Sequence, residues 1–137
     1  MNIIAIDLGA TNTRIALVDG RSGAVMQRHK IASTRSEYET SVQKIAHAVS
    51  GFPKAPIGIA VAGQLNEQRT IVKHAPNLDW HHVSLAEDLA KLTKRDVTLE
   101  NDVRAAALGE LRYGGLRDTK TTGLLVFWGS GIGGAVT

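Results

Sequence analysis

Apolar and polar positions alternate along this chain in a way that sets out its elements. Ile3 to Ile6 is an apolar, β-branched run and reads as a buried strand. A polar turn, Asp7-Leu8-Gly9-Ala10-Thr11-Asn12, leads to a second strand from Thr13 to Asp19, in which Ile15 and Leu17 alternate with Arg14 and Ala16. Asp19-Gly20 and Ser22-Gly23 mark the next turn, and a third strand spans Ala24 to Ile31. A helix follows from Ser36. Ser36 and Glu39 have capping-box spacing, and Tyr38, Val42, Ile45, Ala46 and Val49 recur as one apolar stripe until Gly51 and Pro53 end it. Ile57 to Val61 is a buried strand closed by Ala62-Gly63. Residues 64–83 read as irregular, with a short strand around Thr70 to Lys73. Ser84 and Glu87 predict a second capping box, with Leu85, Leu89 and Leu92 on the inner side of its helix. Val97 to Leu99 is a strand that runs into Glu100-Asn101-Asp102. A third helix continues through Ala105, Ala106, Ala107, Leu108 and Leu111 to Gly114-Gly115. Gly123 to Trp128 is the last full strand before the glycine-rich stretch 129–134, and Ala135-Val136-Thr137 starts another. Strands first in a meander and then alternating with helices predict an α/β fold with a mixed sheet.

Composition narrows the class. The chain has 137 residues, one domain's worth, with 43% hydrophobic and 21% charged residues, so it can build a globular core. Only 4% are aromatic, so that core rests on small aliphatic side chains, as suits a sheet covered by helices. The net charge of +3 comes from single Lys and Arg residues, without a run of like charges, which argues against a nucleic-acid partner. With no cysteine, disulfides, thiolate zinc sites and a cysteine nucleophile are excluded. The first residues lack a basic n-region, and no apolar run approaches the ~18 residues of a membrane span. A cytoplasmic location without membrane contact is the expectation.

Three stretches carry candidate chemistry. Asp7-Leu8-Gly9-Ala10-Thr11-Asn12-Thr13 lies between two strands, where Gly9 permits close approach of a phosphate and Thr11, Asn12 and Thr13 offer donors. Asp7, at the mouth of a buried strand, suits a magnesium ion held through water. The same residues also make an ordinary hairpin turn. Gly129-Ser130-Gly131-Ile132-Gly133-Gly134 matches G-x-G-x-x-G literally. That dinucleotide fingerprint, however, follows a first strand, opens a helix and has an acidic residue about twenty positions on. Here a strand follows, so the stretch reads as a second glycine-rich strand–turn–strand. Glu100-Asn101-Asp102 sits at a strand-to-helix junction. Asp102 there can cap the helix, or it can remain charged beside the helix N-terminus and accept a hydroxyl proton during phosphoryl transfer. His81-His82 is adjacent and cannot form a metal pair on one helix face. Trp80 and Trp128 read as packing residues.

Two phosphate-type turns with an acidic junction between them, in this order, resemble the superfamily of actin, sugar kinases and heat-shock chaperone ATPases. The nearest likeness is to the ROK family (repressor, open reading frame, kinase), in its bacterial glucokinase-like members. It is carried by Ile4 to Thr13, by Gly58-Ile59-Ala60-Val61-Ala62-Gly63 with Ala75-Pro76-Asn77-Leu78, by Leu99 to Glu110, and by Gly129 to Gly134. Ser130 stands where the family usually has Thr, and the residues from Gln64 depart from its usual Pro-Val-Asp ending.

The resemblance implies an actin-like (ribonuclease H-like) ATPase domain, with helices on both faces of a mixed sheet that opens in an antiparallel meander. It implies that residues 1–137 are the N-terminal domain of a two-domain enzyme that phosphorylates the 6-hydroxyl of a glucose-like hexose with ATP. Asp102 would be the general base. Asn101, Asn77 and backbone near Gly63 would hold sugar hydroxyls. Gly9, Thr11, Asn12, Thr13, Gly129, Ser130, Gly131 and Gly133 would surround the ATP phosphates, and Asp7 would support magnesium. The family's zinc motif, later sugar ligands and adenosine segment would fall after residue 137. The family also contains sugar-responsive repressors, which makes a regulator or non-catalytic sugar-binding module the alternative. Their helix-turn-helix would precede the first strand, where this sequence offers no room. A homo-oligomer is expected. Residues 1–137 alone are expected to be inactive and to expose an apolar face.

Overall fold

The computed structural model describes residues 1–118, 120–128 and 132–137. Along the chain run β1 (Asn2–Leu8), β2 (Asn12–Asp19), β3 (Val25–Ala32), α1 (Tyr38–Ser50), β4 (Ile57–Val61), β5 (Gln64–Leu65), β6 (Val72–Ala75), β7 (Trp80–Val83), α2 (Leu85–Thr93), β8 (Val97–Asn101), α3 (Asp102–Tyr113), β9 (Leu124–Trp128) and β10 (Ile132–Val136). The main sheet has the order β3-β2-β1-β4-β8. β1, β2 and β3 pair antiparallel as the expected meander, whereas β4 joins β1 and β8 joins β4 in parallel. The sheet is therefore mixed.

Strand periodicity divides its two faces. Ile4, Ile6 and Leu8 are buried beside their register partners Ile57, Ile59 and Val61. α1 and α2 close that face with Val42, Ile45, Val49, Leu85 and Leu89. Each such side chain contributes about 1.5–3 kcal/mol by leaving water. Tyr38 packs edge-on against Trp80 and donates its hydroxyl to Asp88 Oδ2 at 2.7 Å, which pins α1 to α2. Burial first, and then this hydrogen bond, push the phenol's pKa far above its usual value.

The intervening positions serve the opposite face. Asp7, Ala60 and Glu100 are register partners across β1, β4 and β8. Ala105 and Ala106 line one cleft with Asp7 and Ala60, so α3 covers this second side. At its far end α3 docks on the β2–β3 turn. Tyr113 donates to the carbonyl of Gly20 at 2.8 Å, and its ring lies over Gly23, where a Cβ would approach within 2.9 Å.

Several local expectations are corrected. Neither capping box forms. Glu37 is the N-cap of α1 and makes no side-chain cap bond. Ser36, at φ 62°, turns its hydroxyl to Asp79 Oδ2 at 2.9 Å instead. Ser84 is the N-cap of α2 without a side-chain bond, and Glu87 pairs with Lys91 one turn on at 2.7 Å. Leu92 is 55% exposed, because Leu85, Ala86 and Leu89 already fill the inner side of this short helix. Residues 64–83 are not irregular. They hold a three-stranded antiparallel sheet, β5-β6-β7, and its central strand begins at Val72. Trp80 is 1% exposed, but Trp128 is 87% exposed at the end of β9. Among the described residues no helix is long and apolar enough to cross a membrane.

Candidate active site

The carboxyl ends of β4 and β8, the β5–β7 sheet, the start of α3 and the β9–β10 hairpin enclose a cleft of about 820 Å³. Asp7, Gly63, Asn77, Asn101, Asp102 and Gly133 all line it.

The β8–α3 junction is built residue by residue. Asn101 is the N-cap of α3, and its side-chain oxygen accepts from the N–H of Arg104 at 3.2 Å. Its Nδ2 donates to the carbonyl of Gly63 at 3.2 Å, joining β8 to the end of β4. Capping thus falls to Asn101 and not to Asp102. Asp102 is the first helical residue and is half-buried. No hydrogen bond or ion pair among the described residues engages its carboxylate.

Opposite this junction, Gly63 abuts β6. A Cβ on it would lie 2.6 Å from the carbonyl oxygen of His74. Asn77 stands in the turn between β6 and β7. That turn is closed by Leu78 N–H to Ala75 O at 3.1 Å and Asp79 N–H to Pro76 O at 3.2 Å.

The first glycine turn lies at the same end of the sheet without lining the cleft. Gly9 donates to the carbonyl of Asn12 at 3.2 Å, and a Cβ on Gly9 would come within 2.9 Å of that oxygen. Ser33 staples the turn by donating its hydroxyl to Gly9 O at 2.7 Å and its N–H to Thr11 O at 3.0 Å. Among the described residues no hydrogen bond takes up the N–H groups of Ala10 and Thr11. Thr13 departs from its expected place. It is 1% exposed, and its hydroxyl shares a 2.8 Å hydrogen bond with Ser33 Oγ. The strand phase aims it at the core, so it supports the turn from beneath. Gly133 departs too, because it lies inside β10, paired with Phe127, and not in a turn. A Cβ there would meet Val103 Cγ2 at 2.6 Å, so this glycine lets the hairpin lie against α3. Gly129, Ser130 and Gly131 lie outside the described residues.

The ROK family profile matches residues 3–137. The chain belongs to the ROK family. This ROK chain is 34% identical over 137 residues to a glucokinase from Streptomyces coelicolor, covering 97% of this chain and 42% of that one. It superposes on a ROK family glucokinase from Streptomyces griseus, solved with glucose and AMPPNP, with a TM-score of 0.89 at 31% identity, over 99% of this chain and 44% of that one. A ROK family transcriptional regulator, 22% identical with a TM-score of 0.80, shares the fold over 98% of this chain and 36% of its own. This ROK chain therefore spans less than half the length of each of these relatives, and its fold is that of the actin-like ATPases.

Asp7 can be tested against magnesium on its own surroundings. Its Oδ2 accepts from Arg14 Nη1 at 3.0 Å, and its side chain is 52% exposed. Among the described residues no three His, Asp or Glu side chains converge as a metal cage. A nucleotide-bound magnesium needs no such cage. It keeps several waters and takes one or two carboxylates together with phosphate oxygens. Asp7 in this ROK chain fits that use.

Residue patterns alone missed His74, Phe127 and Ile132, which also line the cleft. They also passed over the ion pairs that Glu100 makes with Arg69 and Arg104.

Proposed function

We propose that residues 1–137 are the N-terminal domain of an ATP-dependent hexose kinase that phosphorylates the 6-hydroxyl of a glucose-like sugar. The reading rests on the carboxylate of Asp102, unpartnered among the described residues and set in the same cleft as Asn77, Asn101 and Gly63. In the proposed reaction Asp102 accepts the proton of the sugar hydroxyl as its oxygen bonds to the γ-phosphorus. The bond from that phosphorus to the β–γ bridging oxygen breaks, and ADP leaves. Asn101 already spends one amide hydrogen and one oxygen lone pair within the protein. It keeps one of each for sugar hydroxyls, and Asn77 adds a second amide. A substrate lacking a matched hydroxyl would leave such groups unpaired, which favours a full hexose.

The phosphates would meet the Gly9–Asn12 turn, where Ala10 and Thr11 offer N–H groups and Thr11 and Asn12 their side chains, and the family resemblance adds Gly129, Ser130 and Gly131. Magnesium, held through water by Asp7, would neutralise charge on the phosphates. The glucokinase relatives support this reading, and the S. griseus protein binds glucose together with an ATP analogue.

The test is Asp102→Asn in the native-length protein, assayed for phosphoryl transfer from ATP across a panel of hexoses. We expect kcat to fall by about 10²–10⁴ with an unchanged unfolding midpoint. An unaltered kcat would end the mechanism.

A further inference from the structure

We infer that Glu100 is a positioning residue that latches the β5–β7 sheet onto the strand that carries Asn101 and leads into Asp102, and so sets the affinity for the sugar. Glu100 belongs to β8, on the cleft side of the main sheet, and its side chain is only 17% exposed. One carboxylate oxygen, Oε2, lies 2.9 Å from Nη1 of Arg69 and 3.4 Å from Nε of Arg104. The other, Oε1, accepts from the backbone N–H of Asn101 at 2.9 Å. Glu100 thus grips its own strand, the first turn of α3 and a residue of a different sheet.

Arg69 is presented to it by a built turn. The residue sits at φ 55° in the β5–β6 connection. Its N–H donates to the carbonyl of Asn66 at 3.0 Å, while Asn66 Oδ1 accepts from the N–H groups of Thr70 at 2.8 Å and Ile71 at 2.9 Å. This pre-set turn limits the conformational freedom lost when the guanidinium meets the carboxylate. The β5–β7 sheet carries His74 and, in its last turn, Asn77, both of which line the cleft. Apart from the Asn101–Gly63 bond, Arg69–Glu100 is the polar tie from this sheet to β8 among the described residues. Loosening it would free Asn77 from its place opposite Asn101 and leave the Asp102 carboxylate where it is. Sugar affinity should then suffer more than the chemical step.

This inference rests on the proposed kinase reading for its kinetic half, and its structural half stands apart. Arg69→Met and Glu100→Gln are made in the native-length protein. The first removes only the guanidinium, and the second keeps an acceptor for Asn101 while removing the charge. Each should raise the hexose KM about three- to tenfold, as expected for a part-buried, charge-assisted pair, with kcat changed less than about twofold. Arg69→Lys should recover much of the loss. The double variant should be no worse than the weaker single one, since the two act as one contact. Amide hydrogen exchange in residues 64–83 should quicken in both single variants without sugar present. Unchanged exchange, multiplying effects in the double variant, or a fall in kcat at constant KM would overturn the latch. If the wild type phosphorylates no hexose, the kinase reading fails, and the exchange experiment decides the latch alone. Should Glu100→Gln fail to fold, Arg69→Met carries the test from the more exposed side.

Discussion

Gly63 has no room to be anything else. A methyl group there would press on the carbonyl oxygen of His74 at 2.6 Å and on the Cβ of Ala75 at 3.0 Å, so backbone would have to move. Gly63→Ala should cost about 1–3 kcal/mol of stability, read from urea unfolding. It should also raise the hexose KM, because the carbonyl that holds Asn101 would shift with it. In the sequence Asp102 stands out by its place at a strand-to-helix junction, where capping and proton acceptance both stay open, whereas Gly63, Asn77 and Asn101 enter through the family resemblance. Thr13 was harder. Its type suits a phosphate turn, but its use depends on which way β2 is phased, and that phase sends its hydroxyl to Ser33. The capping boxes failed for a related reason. The spacing from Ser36 to Glu39 is local, whereas the partner that takes the Ser36 hydroxyl, Asp79, is 43 residues away.

At the scale of elements, the β2–β3 turn shows how one side chain can set a hairpin. Asp19 Oδ1 accepts from the N–H groups of Ser22 and Arg21, each at 2.8 Å, and from the Ser22 hydroxyl at 3.2 Å. The backbone bond from Ser22, and then that from Arg21, hold its carboxyl below the usual aspartate value. A depressed pKa means stability that is present above the unfolded value of about 3.9 and is lost as pH falls through the folded one. Asp19→Ala should therefore unfold more easily than wild type at neutral pH, and the gap should narrow in thermal melts taken at successively lower pH below the unfolded aspartate value. Asp19-Gly20 made this turn legible, as did the long strands beside it. The β5–β7 sheet was not legible. Its strands span two to four residues, too short to display alternation, and its order comes from pairing across turns.

For the whole molecule, the hairpin at the end of the chain matters most. Register places Trp128 beside Ile132, and Leu124 beside Val136, with Val126 between them on one side of the ribbon, all exposed. A continuous apolar run marks Gly123 to Trp128 as a strand, but only the three-dimensional arrangement reveals that nothing among the described residues covers these side chains. Produced alone, these residues should self-associate in sedimentation, and Val126→Lys with Ile132→Lys should shift them toward monomer. Dispersed monomers of the unaltered chain would contradict this. The main sheet imposes a different constraint. Asp7, Ala60 and Glu100 stand shoulder to shoulder because three strands keep the same count from the core. Dropping one residue between Val97 and Asn101 would invert that count. Leu99 would then be thrust toward the cleft and Glu100 sunk among Ile59 and its neighbours. Changes of length in this protein are thus confined to its connections. A shuffled or redesigned version has its latitude there, outside the turns that hold Gly9, Arg69 and Asn77, and it must preserve the odd-and-even bookkeeping of the strands that carry the acids.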